Sequence, residues 1–150
     1  MSLRTVSPEK GFSASSLEEA IGYRFQERDL LRQAMTHASY ANERQTESNE
    51  RLALLGDALL SASLTWKLYQ EYPAASVGEL TEKRKSYVSQ EALCRLAKAL
   101  DLERYLLLGK GEIRISPRML ADTSEALIGS LFIDGGLPAL TLFLERVFVW

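Results

Sequence analysis

Residues 49–60, with the sequence NERLALLGDALL, place acidic side chains within a run of aliphatic residues. Glu50 and Asp57 are seven positions apart, so in a helix they share one face across two turns. Leu54, Leu55 and Ala58 are close neighbours of Asp57 along the chain. A carboxylate in an apolar helical stripe is costly unless it is paired, protonated or bound to a cation. The stretch therefore predicts a helix whose carboxylates have a specific partner.

A second stretch of the same kind covers residues 120–129, with the sequence LADTSEALIG. Asp122 and Glu125 are three positions apart in it, and the residues that follow are strongly apolar. Four carboxylates from two facing helices would form an all-oxygen site of the kind that binds Mg²⁺ or Mn²⁺. Such sites serve phosphodiester hydrolysis. The alternative that these acids are ordinary exposed residues of amphipathic helices stays open at this point.

The rest of the chain also has helical periodicity, with only 4 Pro and 9 Gly and no internal repeat. The fold class predicted is all-α, with about seven helices and no sheet. The longer predicted helices cover 27–40, 50–71, 79–100, 118–134 and a last one that Pro138 opens. The core face of the helix over 50–71 is predicted to carry Leu52, Leu55, Leu59, Ala62, Trp66 and Tyr69. Residues 1–16 are polar and aperiodic, so we expect a flexible leader followed by one domain over 17–150.

The charge balance argues against a protein that holds nucleic acid by bulk electrostatics. The 150 residues contain 18 Lys and Arg against 20 Asp and Glu, a net charge of −2. No apolar run has the length of a membrane span, and the N-terminus lacks the apolar segment of a signal peptide. The single cysteine, Cys94, excludes an internal disulfide framework and lies in an apolar stripe. We therefore expect a cytoplasmic protein with no membrane partner.

Several blocks of the sequence resemble ribonuclease III. Residues 49–60 are similar to the signature of that family, whose usual form is NERLEFLGDx[VIL]L. The likeness extends to IGYRF at 21–25, THASY at 36–40, GELTEKRKSYVSQEAL at 78–93, GKGE at 109–112 and LADTSEALIGSLFIDGG at 120–136. The chain is therefore identified as a member of the ribonuclease III family. The likeness covers the nuclease domain, without the double-stranded-RNA-binding domain that normally follows it.

The resemblance implies a helical homodimer that cuts double-stranded RNA with a divalent metal. The implied metal is Mg²⁺, and Mn²⁺ is expected to be able to take its place. The products would carry 5′-phosphate and 3′-hydroxyl ends. Asp57, Asp122 and Glu125 fall on the positions that bind catalytic metal, and Glu50 on a catalytic acid close by. Glu112 falls on a supporting acid in a turn.

The chain departs from the family pattern at three positions. Ala53 stands where the family has a metal-binding Glu, between Glu50 and Asp57 on the same helix face. Leu54 stands where relatives have an aromatic residue that packs into the partner subunit, so it is the predicted interface residue. Val77 precedes Gly78 where many relatives have an acid, and Glu79 could replace that acid only in part.

Ala53 allows three interpretations. It is an engineered change, or the mark of a natural nuclease with a weakened site, or the mark of a domain that has lost cleavage and keeps an RNA-binding or ribosome-associated scaffolding role. The other acids of the motif are all present, which favours retained cleavage or a recent loss of it.

Contacts with RNA are expected from a basic run in the predicted helix over 79–100 and from basic residues near the predicted acidic site. Lys83, Arg84 and Lys85 form a basic run, and Lys110 lies in the GKGE turn, with Arg114 and Arg118 beyond it. Such side chains contact phosphates and read the A-form shape of RNA rather than its sequence. The alternative for the basic run is a solvated helix face. His37, the only histidine, is a conceivable general base, but the resemblance favours a packing role in its turn.

Overall fold

The computed structural model describes residues 12–112 and 114–148. It contains seven α-helices and one turn of 3₁₀-helix at Leu102–Arg104, which confirms the all-α prediction. The helices are α1 (Ala14–Ile21), α2 (Arg28–Ala34), α3 (Ala38–Arg44), α4 (Glu50–Glu71), α5 (Val77–Val88), α6 (Gln90–Ala99) and α7 (Pro117–Val147). Within the described residues, extended pairing is limited to one isolated bridge between Thr36 and Leu107.

Helix α7 is the centre of the core and packs against α4 and α6. Leu127, Ile128 and Leu131 of α7 are fully buried. By length and mean hydropathy α7 is apolar enough to cross a membrane, but half of its most apolar window is buried in the fold, as in the core helix of a globular protein. Gly136 interrupts the helical geometry of α7 with φ 68° and ψ −166°. The two helices predicted before Gly135–Gly136 and from Pro138 onward are therefore the two halves of α7, joined at this kink.

Two predicted helices are each divided in the structure. The range 79–100 contains α5 and α6, because Ser89 is extended and its side chain accepts the N–H of Ala92 to begin α6. The range 27–40 contains α2 and the start of α3, where His37 is the N-cap. Helix α1 begins at Ala14, before the predicted domain boundary at residue 17, and the Ser16 hydroxyl lies 2.7 Å from that of Tyr105. The remainder of the predicted leader, residues 1–11, lies outside the described residues.

The predicted core face of α4 is wrong in its second half. Leu52 is buried as predicted, but the row that contacts the core continues through Gly56, Leu60, Leu64 and Leu68. Trp66 and Tyr69 are instead 61% and 65% exposed. The buried positions are four residues apart, the spacing of one packing ridge on a helix, whereas the predicted positions follow a spacing of three and four. A residue two positions after a buried one is rotated by about 200° around the helix. Trp66, two positions after Leu64, therefore faces outward.

Candidate metal centre

A cleft of about 370 Å³ lies between the first half of α4 and the first half of α7. It brings together all four acids that the sequence predicts for catalysis, Glu50 and Asp57 from α4 with Asp122 and Glu125 from α7. The complete lining consists of Asn49, Glu50, Ala53, Leu54, Asp57, Arg118, Asp122 and Glu125. The predicted acidic cluster therefore exists as one surface in the fold.

The start of α4 is fixed by Asn49, a buried residue immediately before the helix. Its side-chain amide donates to the carbonyl of Ala34 at 3.1 Å, and its backbone N–H donates to the carbonyl of Thr36 at 2.8 Å. These bonds attach the first turn of α4 to the end of α2. The hydroxyl of Ser48 then donates to the Glu50 carboxylate at 3.1 Å, so Glu50 has a local hydrogen-bond partner.

On the other side of the cleft, hydrogen bonds fix the rotation of α7. Its first turn is capped by the Ser116 hydroxyl, which accepts the N–H of Met119 at 3.1 Å. The buried hydroxyl of Ser124 donates to the carbonyl of Leu93 at 2.9 Å, so this side of α7 faces α6. Asp122 and Glu125 line the cleft beside α4 as a consequence.

The carboxylates of the cleft repel one another. Burial raises the pKa of Glu125 to about 7, and the nearby Asp57 and Asp122 carboxylates add to the shift. Burial also raises the pKa of Asp122, with a smaller contribution from Glu50, while Arg118 and His37 act in the opposite direction. Within residues 12–112 and 114–148, no hydrogen bond or ion pair reaches the carboxylate of Asp57 or of Glu125. The cleft thus contains more negative charge than the protein itself neutralises.

The donor set fits a hard divalent cation by its chemistry. The acids offer only oxygen, the ligand that Mg²⁺ and Mn²⁺ prefer. As the side chains are placed, no three His, Cys, Asp or Glu residues in the described part of the chain stand close enough to hold an ion. Ala53 is buried in the lining on the same face as Glu50 and Asp57 and adds no ligand there.

Leu54, the predicted interface residue, also lines the cleft, whereas the predicted supporting acid and the basic residues 83–85 and 110 lie outside its lining. Glu112 is exposed in its turn, and the backbone N–H of Lys110 donates to the Glu43 carboxylate at 2.8 Å. Glu79 accepts the N–H of Ser76 at 2.7 Å as part of the cap of α5, which lowers its pKa. The Glu79 carboxylate is therefore part of this cap, and it does not line the cleft.

The basic run of α5 contacts the end of α4. The ammonium of Lys83 lies 4.1 Å from the ring centre of Tyr72, and Arg84 donates to the hydroxyl of Thr65 at 3.3 Å. Lys85 pairs with Glu82 at 2.8 Å. These cations have protein partners at the surface, and their contact with RNA stays a prediction.

His37 has the hydrogen bonds of a packing residue. Its Nδ1 accepts the N–H of Ser39 and lies 2.7 Å from the Ser39 hydroxyl, which in turn accepts the N–H of Gly109 at 2.9 Å. The turn that precedes α3 is held against the GKGE turn in this way.

Three residues that line the cleft, Asn49, Leu54 and Arg118, were not predicted as metal-site residues from the sequence. Leu54 was predicted at the subunit interface. Asn49 is the first residue of the signature stretch, and its buried amide shows a structural role there. Arg118 was expected near the acidic site as an RNA contact, and it does line the cleft. It lies four positions before Asp122 and seven before Glu125, so helical spacing puts it on the same face.

The helical fold matches solved nuclease domains of ribonuclease III over most of its length. The family model described as Ribonuclease-III-like matches residues 27–149 of the chain. The chain therefore belongs to the ribonuclease III family.

Relatives and solved structures agree with this membership. Ribonuclease 3 from Listeria welshimeri is 41% identical over 138 residues, which cover 87% of this chain and 60% of the relative. Ribonuclease 3 from Oleidesulfovibrio alaskensis is 46% identical over 129 residues, or 82% of this chain and 56% of the relative. The nuclease domain of ribonuclease III from Campylobacter jejuni matches with a TM-score of 0.82 and 28% identity, covering 91% of this chain and 99% of that one. The chain spans about three fifths of the length of the curated relatives it matches.

Proposed function

We propose that this chain is the nuclease part of a metal-dependent endoribonuclease that cuts double-stranded RNA and leaves 5′-phosphate and 3′-hydroxyl ends. The observation that carries the proposal is the convergence of Asp57, Asp122 and Glu125 in one cleft between α4 and α7. Membership of a family whose relatives are named Ribonuclease 3 supports the same conclusion.

The proposed cofactor is Mg²⁺, with Mn²⁺ able to substitute. Asp57, Asp122 and Glu125 would hold it, with Glu50 close by. A divalent cation supplies Lewis acidity that activates water and stabilises a leaving oxygen. The protein contributes oxygen donors on two helices whose positions are fixed by Asn49 and Ser124, and partial burial that strengthens electrostatic interactions.

The proposed assembly is a homodimer formed through the outward face of α4. Leu54, Ala58, Ala62 and Trp66 follow one another at intervals of four, and all are exposed, so they form a continuous apolar row opposite the buried one. Trp66 stacks on Tyr69, with ring centres 6.2 Å apart, at the end of this row. A structure of the Campylobacter jejuni nuclease domain is described as flexible in a region involved in dimer formation.

The direct test is incubation of the purified chain with a perfectly paired RNA duplex and Mg²⁺ or Mn²⁺. We expect endonucleolytic products with 5′-phosphate ends, no cutting of the separated strands, and loss of cutting in Asp57→Asn. Absence of cleavage by the chain with either metal would overturn the proposed activity.

A second candidate function is an RNA-binding or scaffolding domain without cleavage. The observation that favours it is Ala53, which is buried in the lining of the cleft where the family motif has a metal ligand. The variant Ala53→Glu separates the two functions. Cleavage that appears only in Ala53→Glu would identify an inactive nuclease site, whereas salt-sensitive RNA binding without cleavage in either protein would favour the scaffold.

A further inference from the structure

Arg118 is the cationic residue among the eight that line the cleft. It lies on α7 one turn before Asp122 and two turns before Glu125, so its side chain leaves the helix on the acidic face. A polyanionic substrate that approaches this cleft meets four carboxylates. A cation at its edge is therefore positioned to determine whether a phosphate can approach.

The guanidinium of Arg118 is only loosely held. Its Nε lies 3.9 Å from Oδ2 of Asp122, the limit of an ion pair, and its side chain is 84% exposed. Within the described residues, its terminal nitrogens make no hydrogen bond. The planar fork of donors is therefore available to a ligand. A guanidinium fork matches the oxygens of a phosphate group and binds them bidentately.

We propose that Arg118 binds a phosphate of the RNA substrate at the edge of the cleft, and that Asp122 is its partner when RNA is absent. This inference rests on the proposed function for the choice of RNA as the ligand. Arg118 is thus a substrate-positioning residue with two alternative partners. Its contact with Asp122 competes with any divalent cation for that carboxylate, and phosphate removes the competition by drawing the guanidinium away.

The two roles predict that Arg118→Gln weakens the binding of RNA and strengthens the binding of Mn²⁺. Loss of one phosphate contact should weaken duplex binding and reduce the slope of log K against log salt by about 0.9. Loss of the positive charge beside Asp122 should strengthen Mn²⁺ binding in the absence of RNA, by about two- to fivefold. An ordinary surface ion pair with Asp122 predicts the change in Mn²⁺ binding but not the change in RNA binding.

The experiment compares wild type, Arg118→Gln, Arg118→Lys and a matched control, Arg95→Gln. Arg95 forms the same kind of i, i+4 pair with Glu91 at 2.8 Å on the exposed side of α6, away from the cleft. RNA binding is measured by anisotropy with a labelled, perfectly paired duplex in EDTA over a range of salt concentrations. Binding of Mn²⁺ alone is measured from the shift of the thermal midpoint along a Mn²⁺ titration.

We expect Arg118→Gln to show both changes, Arg118→Lys to retain part of the RNA affinity, and Arg95→Gln to match the wild type. Equal duplex affinities and equal salt slopes for Arg118→Gln and Arg95→Gln would overturn the inference whatever the Mn²⁺ result, as would a wild-type chain that does not bind duplex. A wild-type chain that binds duplex through Arg118 but does not cut it with Mg²⁺ or Mn²⁺ would support the inference and overturn only the proposed cleavage.

Discussion

Gly56 of α4 faces Gly129 of α7 where the backbones of the two helices come together. A Cβ atom on Gly56 would collide with the carbonyl oxygen of Glu125, and one on Gly129 with the carbonyl oxygen of Leu52. Asp57 directly follows Gly56, and Glu125 lies one turn before Gly129. The absence of two side chains at this crossing therefore controls how close the carboxylates of Asp57 and Glu125 can be.

The first prediction concerns this crossing. Gly56→Ala should lower the free energy of unfolding by about 3 kcal/mol, because the added methyl group overpacks a contact between backbones that side-chain rotation cannot relieve. It should also reduce the stabilisation by Mn²⁺, since the two helices must separate. Urea unfolding with and without Mn²⁺ measures both effects. Gly111→Ala is the control, because a Cβ on Gly111 has no neighbour within 4 Å. Equal stability of the two variants would contradict close packing at Gly56.

The second prediction concerns pH. The folded-state pKa of Glu125 is about 7, above its ordinary value of 4.5, so the folded protein binds more protons than the unfolded chain between these pH values. The contribution of Glu125 to stability is therefore fully present below about pH 4.5 and is lost as the pH rises through 7. Glu125→Gln should be more stable than the wild type at pH 8, by about 1 kcal/mol after discounting for its partial exposure, and nearly equal at pH 4.5.

Thermal or urea unfolding of the wild type and of Glu125→Gln at a series of pH values measures this difference. Comparing the two proteins removes the contributions of groups with lowered pKa values, such as Asp134. If the stability difference between the wild type and Glu125→Gln did not change between pH 4.5 and pH 8, the pKa of Glu125 in the folded protein would be the ordinary one.

The third prediction concerns metal binding. Mn²⁺ should raise the thermal midpoint of the wild type, because an ion that binds only the folded protein stabilises it by RT ln(1 + [L]/Kd). Asp57→Asn should differ from the wild type both without and with metal. It should be slightly more stable than the wild type in EDTA, since Asp57 repels Glu125, and it should gain little from Mn²⁺. A wild-type midpoint that is the same in EDTA and in Mn²⁺ would contradict the proposed site.

Helical periodicity was sufficient for the fold class and for the helix faces that carry the acids. The choice of a metal site over ordinary exposed acids came from the resemblance to ribonuclease III. Spacings of three and seven residues put Asp122 with Glu125 and Glu50 with Asp57 on single faces, and the cleft contains all four. The outward position of Trp66 and Tyr69 was not predicted. Their apolar character indicated a core, but the face of α4 that is buried is decided by its crossing with α7 at Gly56 and by the four-residue row that packs there. Hydrophobicity alone cannot separate a core from an exposed apolar row.

The fourth prediction concerns Ala53. Ala53→Glu adds a carboxylate at a buried position between Glu50 and Asp57, so without metal it should cost about 1–2 kcal/mol of stability. Ala53→Gln introduces a similar volume without the charge and serves as the control. In Mn²⁺ the order should change, with Ala53→Glu gaining more than either the wild type or Ala53→Gln, and its rate of duplex cleavage should rise. The same response to Mn²⁺ in all three proteins would show that position 53 does not reach the metal.

The fifth prediction concerns the exposed row of α4. Leu54 is 74% exposed and begins this row, and Trp66 continues it on the opposite side of the helix from the buried leucines. If a second copy covers the row, Trp66→Glu should convert a dimer into a monomer with little change in secondary structure, because the side chain is outside the core of the single chain. Sedimentation velocity over a range of protein concentrations measures the change. Leu142→Glu, at an equally exposed apolar position on α7, is the matched control and should remain dimeric. A wild-type chain that sediments as a monomer at every concentration, or a Leu142→Glu chain that dissociates while Trp66→Glu stays dimeric, would place the interface elsewhere.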